Sequence, residues 1–245
     1  APWMAPFVVV AAIILVFSPQ INWWWYSRRP PALPLGLQEL LQRFCGFYHR
    51  LDLAGKQRFR DRTALFMIGT DWTPVAWPDE QLPLDVQLVL AAQAVTLTYN
   101  RPEFLFEKFE KVIVYPYPFP SPEYDFAHTS ELYEPDGCLL FSAEQLMQAF
   151  LEPEKLYNIG MHEYAKAFVL SYPNEPYPDF SAADTWEKLQ AAGRMSREHI
   201  ESVIGLPDVE ALPVAIHHYF IFPEQFRAVL PEKAAAFDRV FDLAG

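Results

Sequence analysis

The sequence predicts an α+β domain, mainly helical with a small sheet, behind a hydrophobic N-terminal segment. Three observations predict it. Apolar residues recur at helical spacing through Leu37, Leu40, Leu41, Phe44, Phe47 and Tyr48. The stretch from Asp85 to Leu97 is almost wholly apolar and long enough for a buried helix. Two short runs, Lys111-Val112-Ile113-Val114-Tyr115-Pro116 and Gly137-Cys138-Leu139-Leu140-Phe141-Ser142, read as strands, the first ended by its proline.

The N-terminal segment comes first in the chain. Phe7 to Phe17 is an unbroken apolar run. Widened to Trp3–Ile21, it reaches about the twenty residues that a bilayer core requires, interrupted by Ser18, Pro19 and Gln20. Trp23-Trp24-Trp25-Tyr26 follows, in the place of an interfacial aromatic belt, and Arg28-Arg29 come next. Positive charge after the span and none before it predicts the N-terminus outside and the body in the cytoplasm. A cleaved signal peptide is one rival, though it carries its positive charge before the apolar run. A buried helix is the other, because the unbroken run is short. The reading is a single-pass anchor in the inner (cytoplasmic) membrane over residues 1–29, a Pro-rich spacer over 30–34 and one domain over 35–245.

In the domain, the helix predicted from Leu37 continues through the basic segment Phe47 to Arg62, whose Arg and Lys coat a solvated face or one turned toward anionic lipid. Trp72 to Leu84 is Pro-rich and reads as loop. The prolines between Pro116 and Pro122 predict an extended segment that cannot be a central strand. Ser142 with Gln145 reads as a capping box that starts the next helix.

Composition excludes several functions. The chain has 245 residues, of which 51% are hydrophobic, which suits a packed globule. Its net charge is −12, unevenly placed: +5 up to Arg62 and −17 beyond it. An acidic body argues against nucleic-acid binding, since phosphate contacts need a basic surface. Cys45 and Cys138 are far apart and form no C-x-x-C pair, which fits a reducing compartment and no cysteine zinc site. There is no G-x-S-x-G elbow, no G-x-G-x-x-G and no P-loop.

The stretch that carries chemistry is Met161-His162-Glu163-Tyr164-Ala165-Lys166. In H-E-x-x-H, two histidines four apart on one helix face bind zinc and the glutamate serves as general base. Here His162 and Glu163 are in place, and Lys166 stands where the second histidine belongs. Alone, the pair is a weak signal and reads more readily as part of an ordinary amphipathic helix.

Four blocks give the chain a specific resemblance. They are Tyr48-His49-Arg50-Leu51 with the basic helix after it; Leu90-Ala91-Ala92-Gln93-Ala94; Val112 to Phe119; and Met161 to Ala165 with Tyr219 to Phe226. Together they resemble the Mlc titration factor A family of bacterial zinc metallopeptidases. The resemblance implies a mainly helical, zincin-like metallopeptidase domain in which a small sheet packs beside the zinc-site helix. It also implies peptide substrates for some members, and binding of a transcriptional repressor by the namesake. Residue by residue, the family's first ligand falls on His162, its general base on Glu163 and its second ligand on Lys166. Its third ligand, a glutamate, falls on His218. A tyrosine that supports the transition state falls on Ile204.

A catalytic zinc needs three protein ligands and an open position for water. Lysine binds a metal only as the neutral amine, against a reference pKa of about 10.4. The expectation is a degenerate H-E-x-x-K site without a cofactor, Glu163 surviving as a vestigial base, in a membrane-anchored pseudoenzyme that binds a protein partner in a membrane complex. The alternative is an active peptidase whose zinc is held by His162 and His218. His217 and His218 otherwise read as ordinary polar residues at a helix end, and His49, His128 and His199 as surface or capping residues.

Overall fold

The computed structural model describes residues 22–243. The predicted span Trp3–Ile21 lies outside the described residues. Among the described residues, no helix is long and apolar enough to cross a membrane.

The helix predicted from Leu37 to Arg62 is three helices: α1 (Leu35–Phe44), α2 (Gly46–His49) and α3 (Leu53–Gly69). Cys45 is extended between the first two. Asp52 is extended before the third and caps it, its carboxylate accepting from the Gly55 N–H at 2.7 Å. Apolar spacing passes through such breaks unchanged, so periodicity alone overran them.

The sheet has the order β1-β2-β4-β3, from β1 (Asp71–Pro74), β2 (Lys111–Tyr115), β3 (Ser130–Tyr133) and β4 (Cys138–Ser142). β1, β2 and β4 run parallel, with Trp72 opposite Val112 and Val112 opposite Leu139. β3 returns antiparallel, with Leu132 opposite Leu139. Two of these strands, β2 and β4, match the predicted runs. β1 corrects the loop reading of Trp72–Leu84: as an edge strand it needs a partner on one side only, so Pro74 is tolerated. β4 is central and buried along its whole length.

α4 (Leu84–Thr98) is the predicted buried helix and lies in the middle of the core. α5 (Ala143–Leu151) starts at Ser142, but the capping box does not form: the Ser142 hydroxyl makes no cap bond and is buried without a partner. α6 (Ile159–Ser171) packs against α4 on one side and β3 on another. α7 (Thr185–Gly193), α8 (Arg197–Ile204), α9 (Ala211–Ile221), α10 (Pro223–Val229) and α11 (Pro231–Val240) complete the domain. α9 packs across α6 and α7, so α6 is enclosed on nearly every side. Cys45 and Cys138 are free and buried.

Candidate active site

α6 is held at its start by Asn158. Its side-chain oxygen accepts from the Met161 N–H at 3.0 Å and from Gln93 Nε2 at 2.8 Å, which ties the helix end to α4. The next turn presents His162 and Glu163, and the turn after that presents Lys166.

Glu163 is fully buried, and both its oxygens are engaged. Oε1 accepts from the Ser130 hydroxyl of β3 at 2.9 Å. Oε2 lies 2.9 Å from Lys166 Nζ, a charge contact whose angle falls short of a directed hydrogen bond. This is the i,i+3 pairing that the spacing predicts, acid on the N-terminal side. Burial pushes the Glu163 carboxyl up, but Lys166, with His162 and Ser130, holds it below the usual carboxylate range. Burial acts on Lys166 in the downward direction, and Glu163, with Glu210 and Glu131 farther off, raises it above the ordinary lysine value. Glu163 is therefore a carboxylate and Lys166 an ammonium at neutral pH. The Lys166 side chain is 28% exposed and reaches a cleft of about 280 Å³, lined also by Tyr124, His162, Ile204 and Glu210.

Behind the cleft the chemistry changes. The Tyr157 hydroxyl and His162 Nδ1 are joined by a hydrogen bond of 2.7 Å. Tyr157 stacks on His217 with centroids 4.1 Å apart. The Asn158 N–H donates to His217 Nε2 at 3.1 Å, and His217 Nδ1 lies 3.0 Å from His218 Nδ1. Burial pushes the imidazoles down, His162 to about 4 and His218 to about 3, and His217 well below its usual value. All three are neutral at pH 7, which fixes the protons. His217 accepts on Nε2, so it carries its hydrogen on Nδ1 and donates to His218. His218 then carries its hydrogen on Nε2, which is buried without a partner and packed against Gly193.

Of the sequence-predicted residues, His162, Glu163, Lys166 and Ile204 meet at the cleft. His218 does not line it. Its two ring nitrogens face His217 and the backbone of α7. His217 and His218 do sit toward the end of α9, but the reading of them as ordinary polar residues is corrected, because both are fully buried. So is the surface reading of His128, which is 1% exposed, with Nε2 3.0 Å from Glu131 Oε2. His49 and His199 are exposed as expected. Sequence reasoning missed Ser130, Tyr157 and Tyr124. Ser130 sits on a strand too short to show a period, and no motif marks a tyrosine five residues before the histidine. The proline-broken stretch around Tyr124 gave no sign that it folds back over the cleft.

These residues do not fit a zinc ion. An ammonium rests on the would-be base at the second ligand position, and His218 has no nitrogen free toward the cleft. Among the described residues, no group of three or more His, Cys, Asp or Glu side chains is disposed to hold a metal.

An H-E helix enclosed beside a small mixed sheet is the arrangement that the resemblance implies for a metallopeptidase-like domain. The family model described as glucose-regulated metallo-peptidase M90 matches residues 21–168, and the chain belongs to that family. The match takes in His162, Glu163 and Lys166 and ends before α7 to α11. None of the curated proteins matches the chain.

Proposed function

We propose that the protein is a catalytically silent M90 member that keeps the peptidase fold and acts by binding a protein partner, as an accessory subunit at a membrane. The observation that carries this reading is the 2.9 Å contact between Lys166 and the fully buried Glu163. A base already paired to a permanent cation has no reason to take a proton from water. The same cation repels a divalent metal: two unit charges about 4 Å apart cost roughly 4 kcal/mol at an effective dielectric near 20, and zinc doubles that. The ammonium thus replaces the positive charge around which the pocket was built. The accessory role rests on the lost chemistry, and the anchor on Trp3–Ile21 with the aromatic and basic residues after it.

The test is peptide cleavage by the purified protein with and without a chelator. The reading predicts no cleavage above background in either condition. Chelator-sensitive cleavage that disappears in Glu163→Gln would overturn it. For the anchor, fractionation of cells expressing the full chain should place it with membranes, and a variant lacking residues 1–29 should leave them.

A further inference from the structure

Among the described residues, the ion pairs belong to cations of the body and not to those of the N-terminal layer. In the acidic body, Arg101, Lys155, Lys166, Lys188, Arg197 and Arg227 each make an ion pair with a carboxylate, while Lys108, Lys111, Arg194, Lys233 and Arg239 make none among the described residues. Among the described residues, none of the basic residues up to Arg62 makes an ion pair. All of them but Arg60 lie over aromatic rings, as Arg101, Arg197, Arg227 and Lys233 of the body also do. Arg28 is 4.3 Å from the Trp24 ring and Arg29 4.9 Å from Trp25. Arg43 lies over Phe44, and Arg50 over Phe47. Lys56 lies over Tyr48, and Arg58 over Tyr99.

Several of these rings form one cluster. Phe47, Tyr48, Phe59 and Tyr99 are in contact, Phe47 and Tyr99 edge to face and the other pairs tilted, with centroids 5.3 to 6.2 Å apart. Arg50, Lys56 and Arg58 therefore surround one patch, and Arg60 joins it through the Tyr48 hydroxyl. Two of the acids nearby are otherwise engaged, while Glu154 and Glu224 border the same pocket as Arg50. Asp52 caps α3, and Asp61 accepts from Gln57. Large apolar side chains stand out among the cations: Leu53 is 88% exposed, Leu35 78%, and Trp24 and Trp25 52% each.

We infer that this layer is a docking surface for an anionic lipid bilayer, with Arg43, Arg50, Lys56 and Arg58 meeting headgroup phosphates. Unpaired cations beside exposed Trp and Leu suit a headgroup layer, which takes charge and apolar surface together. A nucleic acid would use the cations and leave the leucines in water. The −17 charge of the rest of the chain turns the remainder of the molecule away from the same membrane. The inference deepens the anchor reading and can fail separately from it.

The experiment is flotation of the full chain with vesicles of pure phosphatidylcholine and of phosphatidylcholine with 30% phosphatidylglycerol, at low and high salt. Wild type should favour the anionic vesicles, and the preference should vanish at high salt. Arg43→Gln/Arg50→Gln/Arg58→Gln, checked for an unchanged melting temperature, should lose that preference by on the order of a hundredfold, at about fivefold per charge. Equal, salt-independent binding of wild type to both vesicles overturns the inference and leaves the anchor standing. Salt-sensitive binding to anionic vesicles alone supports the inference and removes the anchor. A triple variant that keeps the full preference also overturns it. Competition by single-stranded oligonucleotide at equal phosphate would assign the patch to nucleic acid instead.

Discussion

The cleft face of α6 and the buried face behind it hold the same kinds of residue and treat them in opposite ways. On the cleft face, Glu163 and Lys166 stay charged because each offsets the other's burial. Behind the cleft, His217, His218 and the Nδ1 side of His162 meet no carboxylate among their hydrogen-bond partners; burial is the largest influence on each and outweighs the nearby Glu163 charge at His162, so all three are neutral. Under the function proposed above, the difference teaches that a site does without a metal by two routes. One supplies a substitute charge. The other sinks the donor nitrogens into a hydrogen-bonded stack around Tyr157. Each route leaves its own signature in stability.

The largest effect is expected on the buried face, through pH. A histidine whose folded pKa lies below its unfolded value of about 6.5 binds protons more readily when unfolded. Stability from such a group is complete above pH 6.5 and is lost as pH falls toward the folded value. Each of the three imidazoles should cost about 2 kcal/mol between pH 7 and pH 5. Together that is comparable with a typical domain's whole stability. Urea melts at pH 7, 6 and 5 should show the collapse, and a midpoint constant across that range would contradict the neutral stack.

Next is Lys166→Met on the cleft face. It strands a fully buried carboxylate, which should lower stability by about 3–5 kcal/mol at pH 7. Glu163→Gln/Lys166→Met removes both charges and should recover most of the loss. The comparison breaks if the single variant melts with wild type, or if the double variant is the worse of the two.

Gly193→Ala is a smaller probe of the buried face. A Cβ there would penetrate the His218 ring, so a loss of about 1–3 kcal/mol is expected. His218→Ala in the same chain should relieve the clash, giving a favourable coupling in a double-mutant cycle. Purely additive losses would mean that the two do not touch. The smallest effect belongs to the cleft rim. Glu210 supports Lys166 only at a distance, so Glu210→Gln should change stability by less than about 0.5 kcal/mol.

Much of this contrast was legible in the sequence. The buried helix α4, strands β2 and β4, and the Glu163–Lys166 pair all follow from local pattern, because period and spacing are local properties. β1 was hidden because its pairing with β2, not its own composition, makes it a strand. The buried histidines were hidden for a related reason. Nothing within a few residues of His217 or His218 says that α7 closes over one and Tyr157 over the other. Burial of a polar residue depends on elements distant in sequence, and the hydrogen-bond partner that makes it tolerable is equally distant.

The central claim is that the Lys166 ammonium occupies the place of the family's metal. Elemental analysis of zinc per chain in the purified full-length protein tests it most directly. The claim predicts well under one equivalent, and no gain in melting temperature on adding zinc. One equivalent of tightly held zinc in the wild type, lost on His162→Ala, would contradict it.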